Sequence, residues 1–129
     1  MEKVKELLEA MKNEMPGFVA SALVEREEGL TVAEARLDPD YDIAITSAYS
    51  VELMRAQERA IAALGEPESD AEILGITPRF YFFTAPINGT PFYLHVVLNK
   101  EKGTLGLLFA YLKKYNRLLS EALTQWQSA

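Results

Sequence analysis

The chain has 129 residues, a formal net charge of −6, 49% apolar and 25% charged residues, and no cysteine. Its length fits one domain, residues 1–129, with a core of its own, and the acidic balance excludes a nucleic-acid or anionic-membrane partner, since both need a basic face. The missing cysteine removes disulfides and thiolate chemistry, while a charged start and the lack of any apolar run of about 20 residues make a cytoplasmic location the expectation.

Val4, Leu8, Met11 and Met15, with Leu7 beside them, form one apolar stripe at helical spacing. Pro16-Gly17 ends that helix, because the residue before a proline is pushed out of helical geometry. From Phe18 to Val24 both alternating sets are apolar, which predicts a strand covered on each face. Arg26-Glu27-Glu28-Gly29 is a polar turn, and Leu30 to Ala35 returns as a second strand.

Asp38-Pro39-Asp40-Tyr41-Asp42 is turn chemistry followed by helix-capping candidates, and helix formers run from Ile43 to Leu64. Gly65 stops this helix and Pro67 prevents its resumption. Ala44, Ser47, Ala48 and Ser50 crowd its first half, while Val51, Leu53, Met54, Ile61 and Leu64 spread wider than one stripe. Such a helix is expected to pack against more than its own sheet.

Strands follow over Ala71 to Thr77, Arg79 to Ile87 and Phe92 to Asn99, with Asn88-Gly89 expected as a two-residue hairpin turn. After the polar turn from Lys100 to Gly103, the last helix carries Leu105, Leu108, Leu112, Tyr115, Leu119, Ala122 and Trp126 in a sustained rhythm of fours and threes. Only Gln127 to Ala129 read as a disordered end. The order α-ββ-α-βββ-α predicts an α/β (α+β) domain: three layers, α/β/α, around a five-stranded antiparallel sheet.

The stretch Pro16-Gly17-Phe18-Val19-Ala20-Ser21-Ala22-Leu23-Val24-Glu25, followed by Glu28-Gly29-Leu30 and Ala33, resembles the roadblock/LC7 domains of the profilin-like superfamily. The family pattern is a helix ending in Pro-Gly, a small-residue apolar strand, an acidic-Gly-Leu turn and a short return strand; Ser21 stands where glycine is commoner. The helix from Asp42 and the Gly103-Thr104-Leu105 start of the last helix also fit. The resemblance spans residues 4 to 123 by element order and 16 to 33 by motif. It implies that the first and last helices share one face of the sheet and the middle helix covers the other. It also implies a homodimer joined through the third strand and second helix, with Ser47, Ser50, Met54, Ile61, Ile73, Leu74 and Ile76 at the seam. Bacterial family members regulate or scaffold small Ras-like GTPases, so the implied function is a non-catalytic adaptor that binds such a GTPase, without a cofactor.

Other chemistry is sparse. His95 is the only histidine and sits mid-strand among apolar neighbours, where local hydrogen bonds account for it better than catalysis or metal binding. Asp38, Asp40 and Asp42 open like a calcium loop, but Ile43 and Tyr49 stand where glycine and glutamate are required. Glu25, Glu27, Glu28, Glu66, Glu68 and Asp70 lie in turns and read as surface charge. Arg79-Phe80-Tyr81-Phe82-Phe83 lacks the glycines of an RNA-binding signature and reads as core strand. Lys113, Lys114 and Arg117 form a small basic group on the last helix, read as a solvated face. Asn88-Gly89-Thr90 matches a glycosylation acceptor but reads as the hairpin turn. No phosphate-binding Gly-Lys-Ser/Thr loop is present, so the chain is not itself a P-loop GTPase.

Two rival functions remain at this level. A small acidic chaperone for a secreted protein would place three strands before the middle helix. A small-ligand sensory domain would gather His95, Tyr81 and Tyr93 around one pocket.

Overall fold

Local signals and tertiary packing agree over most of the chain. The computed structural model describes residues 1–66 and 71–128. Along it run α1 (Glu2–Glu14), β1 (Phe18–Glu25), β2 (Thr31–Arg36), α2 (Ile43–Ala63), β3 (Ile73–Ile76), β4 (Phe80–Pro86), β5 (Phe92–Asn99) and α3 (Leu105–Ser128). The last helix therefore continues through Gln127, where a disordered end was expected. Pro67, Glu68, Asp70 and Ala129 lie outside the described residues.

The five strands form one antiparallel sheet in the order β2-β1-β5-β4-β3. With two strands before α2 and three after it, the order is the one expected for a roadblock-type domain and not for the chaperone. On one face, α1 and α3 seal a core built from Leu8, Met11, Leu23, Phe83, Leu94, Leu112 and Leu119. On the other, α2 covers a smaller core of Ala20, Ala22, Val24, Ile43, Val51, Met54 and Tyr93. Each large side chain buried in this way contributes about 1.5–3 kcal/mol. Trp126, placed by periodicity on the buried stripe of α3, is instead 47% exposed.

The distant pieces of the family-like motif meet in space. Gly17 has φ +76°, and a Cβ there would stand 2.7 Å from the carbonyl oxygen of Asn99. Gly103 also runs close to its neighbour, its would-be Cβ 3.2 Å from the oxygen of Pro16. Thr104 then starts α3 by accepting from the Leu107 N–H at 3.2 Å. At the head of α2, Asp42 accepts from the Ala44 N–H at 3.1 Å, and Gly65, with φ +77°, follows its last turn.

The β4–β5 connection departs from expectation. Ile87 N–H donates to Phe92 O at 2.9 Å, so the loop comprises Asn88, Gly89, Thr90 and Pro91 rather than Asn88-Gly89 alone. Within this loop only Gly89 has positive φ. Pro91 has no N–H for the ladder, which moves the first strand pair out to Phe92.

Candidate interaction surface

α2 determines what the second face of the molecule presents. Its apolar residues fall on both sides, so the sheet takes one set and leaves the other in solvent. Ser47, Ser50, Val51 and Met54 turn inward and are buried. The Ser50 hydroxyl donates back to Ser47 O at 2.8 Å, and Ser47 Oγ has no hydrogen-bond partner among the described residues. Small side chains here let the helix lie close to the sheet. Ser47, Ser50 and Met54, expected at a dimer seam, are therefore covered within the single chain. Among the other expected seam residues, Ile61, Ile73 and Leu74 are half-buried and Ile76 is exposed.

The outward side of α2 carries Ile45, Tyr49 and Leu53, one turn apart and 58%, 65% and 58% exposed. Exposed Ala48 and Ala56 widen the strip. Periodicity could have revealed it, since positions 45, 49 and 53 keep a spacing of four. The inward set at 43, 47, 51 and 54 keeps the same kind of rhythm, and spacing alone does not rank the two.

Between α2 and the β3–β4 hairpin lies a groove of about 280 Å³ lined by Tyr49, Leu53, Ile73, Gly75, Phe82 and His95, among others. It joins the α2 strip to β3, the terminal strand of the sheet. His95 is buried at its floor. Nδ1 is 3.1 Å from Phe83 O and 3.0 Å from Thr84 Oγ1, and Nε2 is 2.9 Å from Thr46 Oγ1. A carbonyl can only accept, so Nδ1 carries the proton and Nε2 accepts from the Thr46 hydroxyl. Burial pushes the imidazole down to about 4, with the bond to Phe83 O opposing. The ring is thus neutral and engaged at both nitrogens, as expected from its place among apolar neighbours.

A second cluster holds the far half of α2. The Glu58 carboxylate accepts from the Tyr93 hydroxyl and from Arg26 Nη2, the latter at 2.8 Å. The Arg26 guanidinium lies 4.8 Å from the centre of the Tyr93 ring, and Arg55 donates to Arg26 O at 2.9 Å. Tyr93 is pushed up to about 12, first by burial and then by the Glu58 carboxylate. The cluster pins α2 to the turn after β1 and so sets the angle at which Ile45, Tyr49 and Leu53 face outward.

The remaining candidates separate. Tyr81 packs on the α1–α3 side whereas His95 and Tyr93 lie on the α2 side, so the three do not converge on one pocket. Asp38 caps the Asp40 N–H and Asp42 the head of α2. The Glu25 carboxylate accepts from the N–H groups of Glu27 and Glu28, so it shapes its turn as well as carrying surface charge. Among the described residues, no group of three or more His, Cys, Asp or Glu is placed to hold a metal ion. Nor is any helix among them long and apolar enough to cross a membrane.

No protein-family model matches the chain, and no curated protein matches it. Solved structures do. MglB of Myxococcus xanthus superposes with a TM-score of 0.81 at 16% identity, over 96% of this chain and 90% of that one. The gliding protein MglB of Thermus thermophilus gives 0.78 at 20% identity, over 93% and 87%. A roadblock/LC7 domain from Streptomyces avermitilis gives 0.77 at 17% identity, over 97% and 98%.

Proposed function

We propose that this chain, which has the roadblock/LC7 fold, is a non-catalytic, cytoplasmic homodimeric adaptor that binds a small Ras-like GTPase. The observation that carries the reading is the contiguity of an open sheet edge at β3 with the unpartnered apolar strip Ile45–Tyr49–Leu53. A terminal strand offers unpaired backbone groups to another strand. A second copy paired with β3 across a two-fold axis would extend the sheet and bring the two α2 strips together. The seam in this reading uses Ile76, Tyr49 and Leu53, with Ile73 and Leu74 behind them.

The GTPase partner is supported by the likeness to the MglB structures together with the family resemblance in residues 16 to 33. The adaptor reading is supported by how the ionisable groups are used: His95 is engaged at both ring nitrogens and Glu58 is held by Tyr93 and Arg26. Light scattering at micromolar concentration is expected to give twice the chain mass, and a monomer overturns the dimer. An affinity capture run with GDP and with a non-hydrolysable GTP analogue is expected to retain a small GTPase more strongly in one state. Retention of none in either state overturns the partner assignment.

A further inference from the structure

β3 contains a glycine that its own chain does not require. Gly75 pairs with Phe82 in an unbroken register, and unlike Gly17 and Gly65 it has no positive φ. A Cβ built there meets nothing nearer than Phe82 Cβ at 3.6 Å, an ordinary contact. Glycine inside a strand costs backbone entropy and packs nothing, and it commonly marks a place where another group comes close. Here the missing side chain leaves a notch in the groove walled by Tyr49, Leu53, Ile73 and Phe82.

The hydrogen-bond phase of β3 limits what can reach that notch. Thr77 N–H donates to Phe80 O at 3.0 Å, so Thr77, Gly75 and Ile73 direct their backbone groups to β4, and Leu74 and Ile76 direct theirs to the open edge. Ile73 and Gly75 share the α2 side of the sheet, while Leu74 turns to the α1–α3 side. A second copy related by a two-fold axis pairs antiparallel, and outward residues must meet outward residues, which leaves few registers. An axis before Leu74 takes most of the pairing off the four-residue strand. With Ile76 on the axis, Leu74 faces Pro78, which has no N–H to donate. With Gly75 on the axis, the two glycines face each other and both notches stay empty. With Leu74 on the axis, Glu72, Leu74 and Ile76 all find outward partners, and Ile73 of each copy stands opposite Gly75 of the other. That opposition is a non-hydrogen-bonded pair, with Cα atoms about 4.5 Å apart and side chains at their closest.

We propose that Gly75 is the socket of a self-recognition pair, filled by Ile73 of a second copy, twice across the two-fold axis. The inference rests on the dimer reading above and goes beyond it in fixing the register and the residues that make β3 select its own sequence. A partner strand with a bulky residue opposite Ile73 is rejected by overpacking, and one without an isoleucine opposite Gly75 leaves the notch empty.

The test exploits a chain without cysteine. I73C and G75C chains, mixed and oxidised, are expected to form a disulfide-linked dimer, because directly opposed Cα atoms at that spacing suit the bond. Neither chain alone is expected to cross-link efficiently. In sedimentation velocity, G75I and I73G are each expected to self-associate at least about tenfold more weakly than the wild type, with circular dichroism unchanged. Mixed together, they are expected to recover the wild-type affinity as a heterodimer seen by native mass spectrometry, because each isoleucine then faces a glycine. A G75C chain that cross-links with itself, a mixture that gives no mixed disulfide, or a G75I chain that pairs with itself as tightly as the wild type overturns the socket and leaves the dimer standing. A wild-type chain that is monomeric at micromolar concentration overturns the dimer and the socket together.

Discussion

His95 Nε2 lies 2.9 Å from Thr46 Oγ1, so the centre of β5 is tied to the opening of α2 by a neutral imidazole. The ring is neutral because burial holds it near 4 in the folded chain, against about 6.5 when unfolded. Below pH 6.5 the unfolded chain takes up a proton that the folded chain refuses, so stability falls as the pH falls. The loss runs from about pH 6.5 to about pH 4 and amounts to at most about 3 kcal/mol; above that window the contribution is complete. Urea unfolding at stepped pH is expected to show this slope in the wild type and a flatter line in His95→Gln. Identical slopes would remove His95 as the cause.

Gly17→Ala places a Cβ in a left-handed conformation and 2.7 Å from Asn99 O. Gly65→Ala meets the same backbone penalty, φ +77°, with nothing within 4 Å. The left-handed conformation costs about 1–2 kcal/mol, so Gly65→Ala is expected to lose about that much and Gly17→Ala clearly more. Denaturant midpoints of the two variants check it, and equal losses would mean that the Asn99 strand yields without cost.

Ser21 Oγ is fully buried with no hydrogen-bond partner among the described residues, between Ala35 and Val96 in the sheet register. An orphaned buried hydroxyl costs about 1–3 kcal/mol. Ser21→Ala removes it at almost constant shape and is expected to leave stability unchanged or raise it by about 1 kcal/mol. A clear loss in thermal unfolding would show that the hydroxyl has a partner after all.

Leu53→Glu and Ile76→Lys change side chains that are 58% and 57% exposed in the single chain. Both are expected to keep the circular dichroism of the wild type and to shift the mass by light scattering from dimer to monomer. Met54→Glu, at a position 1% exposed, is expected to unfold the chain instead, since an unpaired buried carboxylate is strongly destabilising. A dimer that survives both surface changes would place the seam elsewhere.

The elements and their order are legible because their signals are local. Pro16-Gly17, Asp42 and Gly65 mark helix ends through the geometry of one or two residues. The apolar character of both alternating sets in β1 and β5 announces a sheet covered on each face. Asn88-Gly89 misleads as a two-residue hairpin because Pro91, two positions on, changes which residues can pair. Trp126 keeps the rhythm of α3 but is left half-exposed, and rhythm carries no information about how far the layer below extends.

The candidate surface is legible only in part. Ile73, Leu74 and Ile76 are on β3 as expected, but Ser47, Ser50 and Met54 on α2 point into the core. Both sides of α2 are apolar, and helical spacing is blind to which one the sheet will take. The sequence by itself determined the fold class, the run of elements and the lack of thiol chemistry, because spacing, turn residues and composition act within a few positions of the chain. Tertiary structure alone decided that Ser47 and Met54 go in while Tyr49 and Leu53 stay out. It also decided that His95 meets Thr46. Those outcomes depend on which distant side chains fill the space between helix and sheet, a competition that no local window contains.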